Sequence, residues 1–313
     1  MVERAAGLAV FDASAVREAL TYEAAIPVVR DAMIALSGGR VRQLLRSFIG
    51  LGEGRTFAIM PAALGEREAF GAKLVSVFHD GYGRKAHEGV VVLFDGETGA
   101  PVCFADAGEV TAIRTAAASA VATDALARKD AGVLAVLGIG RQAEAHIRAI
   151  SLVRDIKEVR VWGRDPARTA AFATRIGAAA GDVPTICAGA DIICTVTAAT
   201  DPVLEGAWVY AGAHVNVVGS SGPGQAEIDT DLVARSRFIV DHREHVLAHG
   251  GEFLRAKAVG AVDDSHIAAE IGEVLAGKSP GRTTPDQITV YKSLGHAAQD
   301  LAAVAWLDRG ADR

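Results

Sequence analysis

The chain has 313 residues, half of them apolar, and a formal net charge of −6 from 32 Lys and Arg against 38 Asp and Glu. That length can bury more than one average core, so two domains are expected, and an acidic balance without clustered Lys and Arg excludes a general affinity for nucleic acid or anionic membrane. Cys103, Cys187 and Cys194 are too few, too odd in number and too widely spaced for a disulfide framework or a Cys-rich metal site. Scarce aromatics with plentiful Ala and Gly suit helices packed closely on a sheet, hence an α/β protein. The segment from Met1 to Val10 carries Glu3 and Arg4 and lacks the apolar core of a signal peptide, and no apolar run approaches the ~18 residues of a membrane span. A reducing, cytoplasmic location is expected.

The predicted elements begin with a helix over residues 14–38, with Ser14 and Thr21 as caps, Leu20, Ala24, Val28, Met33 and Leu36 at helical intervals, and Gly38-Gly39 as the stop. From Arg42 to about Phe104, short β-branched and aromatic runs at 47–51, 56–60, 71–78 and 89–94 alternate with Gly-rich turns such as Gly81-Tyr82-Gly83, which predicts an antiparallel or mixed sheet. Residues 106–128 read as one long Ala-rich helix linking two domains. From Ala131 strand and helix alternate: strand 133–137, helix 141–153, strand 158–162, helix 166–176, then strands 191–196, 215–219 and 238–241, the pattern of a doubly wound parallel sheet. A last helix over 293–307 places Leu294, Ala297, Ala298, Leu301 and Val304 on one face and is expected to pack on the first domain.

The strand ending at Leu137 runs into Gly138-Ile139-Gly140-Arg141-Gln142-Ala143 and then into a helix. Gly138 permits a tight turn, Gly140 lets the backbone approach a pyrophosphate, and Ala143 lets the helix lie close on the strand. Arg141 and Gln142 open the helix whose N-terminal N–H groups would face the anion, and they are counted with the cofactor residues. Alone, this pattern is weak; between two predicted strands it points to a dinucleotide. At the end of the second strand stand Gly163 and Arg164, where an acidic residue would hold the ribose diol of NAD. Arg164 can pair with a 2′-phosphate, so NADP(H) is the preferred cofactor, with NAD(H) possible because Asp165 can reach a ribose hydroxyl. The plainer reading is that Arg164 only precedes the N-cap Asp165 and the N1 residue Pro166. Thr195, at the carboxyl end of a later strand, is a further candidate cofactor contact.

Three cations stand where a solvated charge is not the automatic reading. Lys73 lies in the otherwise apolar strand Phe70-Gly71-Ala72-Lys73-Leu74-Val75, where burial would lower its pKa towards proton transfer. Arg46 at a strand start and Arg114 on the linking helix can each grip a carboxylate through paired N–H bonds. Each taken singly is also compatible with a surface or cap charge. His242, Glu244, His245 and His249 fall within eight residues, but a full ligand set with its supporting groups is not evident, and no metal is expected. His79 and His87 flank the Gly-rich turn and can lie near substrate or bond locally.

On these residues the chain resembles the ornithine cyclodeaminase and mu-crystallin family. The resemblance rests on Phe70-Gly71-Ala72-Lys73, Gly89 to Phe94 with Asp95 and Glu97-Thr98-Gly99, Thr111 to Ala117, and the Gly138 loop. Val215 to Gly219 with Pro223 to Glu227, and Lys292 to Gly295 with Asp300-Leu301-Ala302, extend it. It implies a Rossmann domain over 121–292 inserted in an α+β substrate-binding and dimerisation domain made of 1–120 with 293–313, and a homodimer. It further implies that Arg46 and Arg114 bind the substrate carboxylate and that Lys73 polarises or protonates the reacting group. Cyclodeaminases of the family carry an aspartate where this chain has Ser221, and a glutamate before Met-Pro where it reads Phe57-Ala58-Ile59-Met60-Pro61. A hydroxyl is no base near neutral pH. The expected function is therefore NAD(P)H-dependent reduction of a small imino acid or cyclic ketimine carboxylate, or amino-acid dehydrogenation. Ornithine cyclisation with catalytic NAD, and non-catalytic ligand binding, are the alternatives.

Overall fold

The structure, a computed structural model, describes residues 3–5, 8–79 and 85–310; the turn expected at Gly81-Tyr82-Gly83 lies outside the described residues. The chain forms two compact units, Met1–Thr115 with His296–Arg313, and Ala116–Gly295. In the first, strands β1 (Glu3–Ala5) and β2 (Leu8–Phe11) precede helices α1 (Ala13–Ala19) and α2 (Tyr22–Ser37). The single helix expected over 14–38 is thus two. Leu20 leaves helical space with ψ 79°, and the extended Thr21 caps α2 by accepting from the Ala24 N–H. Thr21 is a cap as read, whereas the cap of α1 is Asp12, whose carboxylate accepts from the Ala15 N–H, in place of Ser14.

Six further strands follow: β3 (Arg42–Gln43), β4 (Ser47–Gly52), β5 (Arg55–Ala63), β6 (Phe70–His79), β7 (Lys85–Phe94) and β8 (Pro101–Asp106). They extend one sheet in the order β1-β2-β8-β7-β6-β5-β3, with β4 also on β5. Only β2 with β8 is parallel, so the sheet is mixed. Helix α3 (Ala107–Leu126) runs unbroken through the division after Thr115. Its buried apolar residues are mostly Ala, which combines high helix propensity with close approach.

The second unit opens with β9 (Val133–Leu137), α4 (Arg141–Ser151), β10 (Glu158–Trp162), α5 (Pro166–Ile176), β11 (Ala179–Ala180), α6 (Val183–Cys187), β12 (Ile192–Thr195) and β13 (His214–Val217). It continues through α7 (Thr230–Arg235), β14 (Arg237–Val240), α8 (Arg243–His249), α9 (Gly251–Ala258), β15 (Ile267–Glu270), α10 (Ile271–Leu275) and β16 (Thr289–Lys292). All eight strands are parallel in the order β11-β10-β9-β12-β13-β16-β14-β15. Strands β12, β13 and β16 are buried at every residue, as befits the middle of a parallel sheet covered on both faces. From β9 the chain works outwards to β11 and then returns to the other side of β9 for β12. The direction of winding therefore reverses between β9 and β12, the place where a doubly wound sheet opens a crevice.

The last helix, α11 (Ala297–Gly310), belongs to the first unit, where it packs on α2 and on β5 to β8 and buries Leu301, Val304 and Leu307. It starts later than the helix expected over 293–307. Residues up to Lys292 form β16, and Gly295 turns the chain with a φ of 78°, so Leu294 lies before the helix and not on its face.

Candidate active site

In the first unit β6 carries Lys73 at the centre of the sheet, paired with Met60 of β5 and Val91 of β7. Strand alternation puts Gly71 and Lys73 on one face. That face lies under α11: a Cβ at Gly71 would stand 3.3 Å from Leu301 Cδ2 and would strike the Val92 carbonyl. The Lys73 side chain is buried, and its Nζ donates to Thr111 Oγ1 on α3 and to Asp300 Oδ1 on α11 at 3.4 Å. The Thr111 hydroxyl is itself a donor to the Ala107 carbonyl, which leaves a lone pair for the ammonium. Arg114, one turn further along α3 and also buried, donates from Nε to the same Asp300 Oδ1 at 2.9 Å and from Nη1 to Gln299 Oε1 at 2.8 Å. Asp300 is fully buried, and its Oδ2 has no hydrogen-bond partner.

Electrostatics follow from this geometry. Burial pushes the Lys73 ammonium down from 10.5 to about 8, against the attraction of Asp300; the charges of Arg114 and Arg46 push it the same way as burial. Arg46, half-buried on the link between β3 and β4, is thus within electrostatic reach of Lys73. Lys73, Arg114 and Arg46 form a cationic cluster into which the Asp300 carboxylate is set, and such a cluster is suited to receive an anion.

In the second unit the chain leaves β9 through Gly138, whose φ of 127° is a conformation that L side chains rarely adopt. A Cβ there would lie 2.8 Å from the Val196 carbonyl oxygen at the end of β12, so the loop hugs the neighbouring strand exit. Gly140 is the N-cap of α4 with no side-chain cap, and a Cβ on it would meet open space. Exposed Arg141 and half-buried Gln142 open that helix, and Ala143 is buried against β9 and β10 side chains. An uncapped helix N-terminus, a glycine with free space before it and a close-packed Ala after it fit a dinucleotide pyrophosphate. At the end of β10, Gly163 abuts Ile139 of the loop, Arg164 is exposed, and Asp165 caps α5 by accepting from the Arg168 N–H, with Pro166 as the next residue.

Behind the exits of β12 and β13 lies a fully buried acidic knot. Glu227 Oε2 accepts from Thr195 Oγ1 at 2.9 Å and from the Gly219 N–H at 2.6 Å, and its Oε1 accepts from the Thr197 N–H at 2.6 Å and hydroxyl at 2.7 Å. Burial pushes the Glu227 carboxyl up, while the Thr197 donors hold it down. Buried Lys292 pairs with Glu252 at 2.9 Å and donates to the Ser220 carbonyl and hydroxyl at 2.6 Å each. Thr195 is therefore buried with its hydroxyl committed to Glu227, which shapes the loops from beneath. Ser221 is exposed at the tip of the β13 loop, its N–H on Gln225 Oε1 at 3.3 Å.

The structure brings together Lys73 and Arg114, with Arg46 in electrostatic range, and gathers Gly138, Gly140, Arg141, Gln142 and Ala143 in one turn. Asp300, Gln299 and Thr111 escaped as site residues. A carboxylate among the apolar positions Ala297, Leu301 and Val304 of α11 was the signal for Asp300; nothing comparable marked Thr111. Among the described residues no group of three or more His, Cys, Asp or Glu is placed to hold a metal. The His242 and His245 rings instead meet edge to face at 5.1 Å. The side chains of His79 and His87 lie outside the described residues.

Comparison with known proteins adds to this geometry. Residues 8–309 match the model of the ornithine cyclodeaminase/mu-crystallin family. The ketimine reductase mu-crystallin of Mus musculus is 38% identical over 276 residues, spanning 85% of this chain and 84% of that protein. The solved Delta(1)-pyrroline-2-carboxylate reductase of Thermococcus litoralis, in complex with NADH and L-proline, superposes with a TM-score of 0.90 at 30% identity over 96% of this chain and 97% of its own. An archaeal alanine dehydrogenase dimer with bound NAD gives a TM-score of 0.90 at 28% identity over 96% and 95%.

Proposed function

The chain belongs to the ornithine cyclodeaminase/mu-crystallin family, and from that premise we propose that it is a nicotinamide-dependent reductase of the C=N bond in small imino acids or cyclic ketimine carboxylates. The observation that carries this reading is the cationic cluster of buried Lys73 and Arg114, with half-buried Arg46 in electrostatic reach, into which the carboxylate of Asp300 is set. Such a cluster accepts a substrate carboxylate and disfavours a second, distal ammonium.

In this reading Arg114 and Arg46 bind the carboxylate through their N–H groups and fix the ring or chain that bears the C=N bond. Bound cofactor supplies the hydride to carbon. Lys73 supplies the proton to nitrogen from Nζ; with its pKa near 8 it is largely protonated at neutral pH and still a strong enough acid to give the proton up. Ser221, exposed at the tip of its loop, offers a neutral hydrogen bond where a cyclodeaminase carries a carboxylate, and leaves room for an uncharged or cyclic side chain.

NADP(H) is the preferred cofactor, with NAD(H) as the lesser one. Exposed Arg164 stands at the ribose end of the dinucleotide turn, while the carboxylate of Asp165 is engaged in capping α5 and is less free for a ribose diol. The unit containing Met1–Thr115 and α11 serves substrate binding and homodimer formation. Phe48, Ile49 and Leu51 on β4 and Leu44 ahead of it are exposed large apolar side chains concentrated on one edge segment, which a second copy would cover. The test of the whole reading is a screen of NADPH and NADH oxidation over five- and six-membered cyclic ketimine carboxylates and over 2-oxo acids with ammonia or methylamine. Turnover of at least one C=N substrate, faster with NADPH, is expected. Tight cofactor binding with no turnover across the panel would replace this reading with that of a binding protein.

A further inference from the structure

We infer that Asp300 is the positioning residue of the reductase site, a single buried carboxylate oxygen that holds the Lys73 ammonium and the Arg114 guanidinium in one fixed geometry. The inference rests on the proposed reductase reading for its catalytic meaning, but the contacts stand without it. Asp300 Oδ1 is 3.4 Å from Lys73 Nζ and 2.9 Å from Arg114 Nε, and all three side chains are buried. Two cations on one oxygen cannot move independently. Gln299, the neighbouring residue on α11, takes the second arm of Arg114 through Nη1, so the guanidinium plane is fixed at two points by one helix. On the other side Thr111 takes Lys73, and Thr111 and Arg114 sit three residues apart on α3.

Charge makes the same point. Lys73 is flanked on its own sheet by Met60 and Val91, which bear no charge. From α3 it faces Arg114; from the β3–β4 link it feels Arg46; from α11 it faces Asp300. Of the other titratable groups on adjoining elements, Glu109 in the first turn of α3 is paired with Arg17, Asp106 at the end of β8 accepts from the Glu109 N–H, and His296, one turn before Asp300, is bonded to Gln43. Without Asp300 two cations, Arg114 and Arg46, would remain around the buried Lys73 ammonium. Lys73 would then shed its proton before a substrate arrived, and Arg114 would lose one of its two anchors.

The test follows Lys73 Nζ by heteronuclear NMR in protein labelled with 13C,15N-lysine, the signal being assigned with Lys73→Arg. In the unmodified protein the signal should titrate near pH 8. In Asp300→Asn it should titrate lower by about one pH unit or more, as expected for losing an opposite charge within hydrogen-bond reach. Arg114→Gln should move it the other way, because a repelling charge goes and Asp300 Oδ1 is left to Lys73 alone. This second variant carries the test if Asp300→Asn does not fold. In ketimine reduction the alkaline fall of kcat/KM should move with the NMR midpoint, and Asp300→Glu should restore part of it. A midpoint unchanged in both variants would overturn the role of Asp300. Shifted midpoints in a protein that reduces no imine would sink the reductase reading and leave the role of Asp300 intact.

Discussion

Replacing Lys73 by Met should cost activity and increase stability. Met keeps the unbranched stem and much of the volume while removing the ammonium. The fold holds that ammonium at about 8 against an ordinary value of 10.5, which corresponds to roughly 3 kcal/mol of unfavourable free energy for the charged form. Asp300 keeps its stronger partner, Arg114 at 2.9 Å, so little of that gain is returned as an unpaired carboxylate. The variant should therefore be more stable by about 1–3 kcal/mol at neutral pH. The sign with pH is fixed by the direction of the shift. Below pH 8 Lys73 is charged in both folded and unfolded chains and the full cost is present; between about 8 and 10.5 the fold releases its proton first, the unfolded chain binds more protons, and stability of the unmodified protein rises. The advantage of Lys73→Met should thus be full at pH 7 and nearly gone by pH 10.5. Urea denaturation of both proteins at several pH values measures it, alongside a fall in ketimine turnover of about 10²–10⁴-fold for loss of a general acid. A variant less stable at pH 7, or a difference that does not change with pH, would refute the reasoning.

Gly138→Ala forces a side chain into a φ of 127° and within 2.8 Å of the Val196 carbonyl oxygen. Calorimetry should find NADPH binding weakened at least about tenfold, with about 1–3 kcal/mol lost in stability from the strained backbone. Arg164→Asp should reverse the cofactor order, raising the Kd for NADPH and lowering it for NADH; an unmodified protein that already binds NADH as well as NADPH would remove that argument. Phe48→Asp with Leu51→Asp should shift sedimentation from dimer to monomer without unfolding the chain, because both side chains are exposed in the single copy. Unchanged sedimentation would place the subunit contact elsewhere.

Much of the second unit was legible because its reasons are local. Strands β9 and β10 and helix α5 have the bounds that period and punctuation predict: an apolar run of five residues in β9, alternation of Glu158 and Arg160 with Val159, Val161 and Trp162 in β10, then Asp165-Pro166 at a helix start and Gly177, with a φ of 71°, at its end. The mixed sheet of the first unit could be read as strands but not in its order, since β2 joins β8 across about ninety residues of chain. Strand β16 has no counterpart among the expected elements, because four residues, Thr289 to Lys292, carry too short a period to mark a strand, and only their insertion between β13 and β14 makes them one. The break at Leu20 failed to register because apolar spacing continues through it.

The cation cluster illustrates the same limit. Lys73 in an apolar strand is visible as an anomaly, and so is Arg114 in a helix of small residues. Their meeting point on Asp300 is not, because the Lys73–Asp300 contact joins residues 227 apart in the chain. Resemblance supplied the expectation that the two cations share a substrate; packing of α11 on β6 supplies the carboxylate that joins them.

The most direct test of the account sets two reactions side by side with the same purified protein. One tube holds a five-membered cyclic ketimine carboxylate with NADPH, the other L-ornithine with NAD, and both are assayed for proline by mass spectrometry. The account predicts proline from the ketimine with one NADPH oxidised per molecule formed, and little from ornithine, whose distal ammonium would enter beside the cations Lys73, Arg114 and Arg46 with Asp300 already engaged by two of them. Efficient release of proline and ammonia from ornithine, with no reduction of the ketimine, would contradict it.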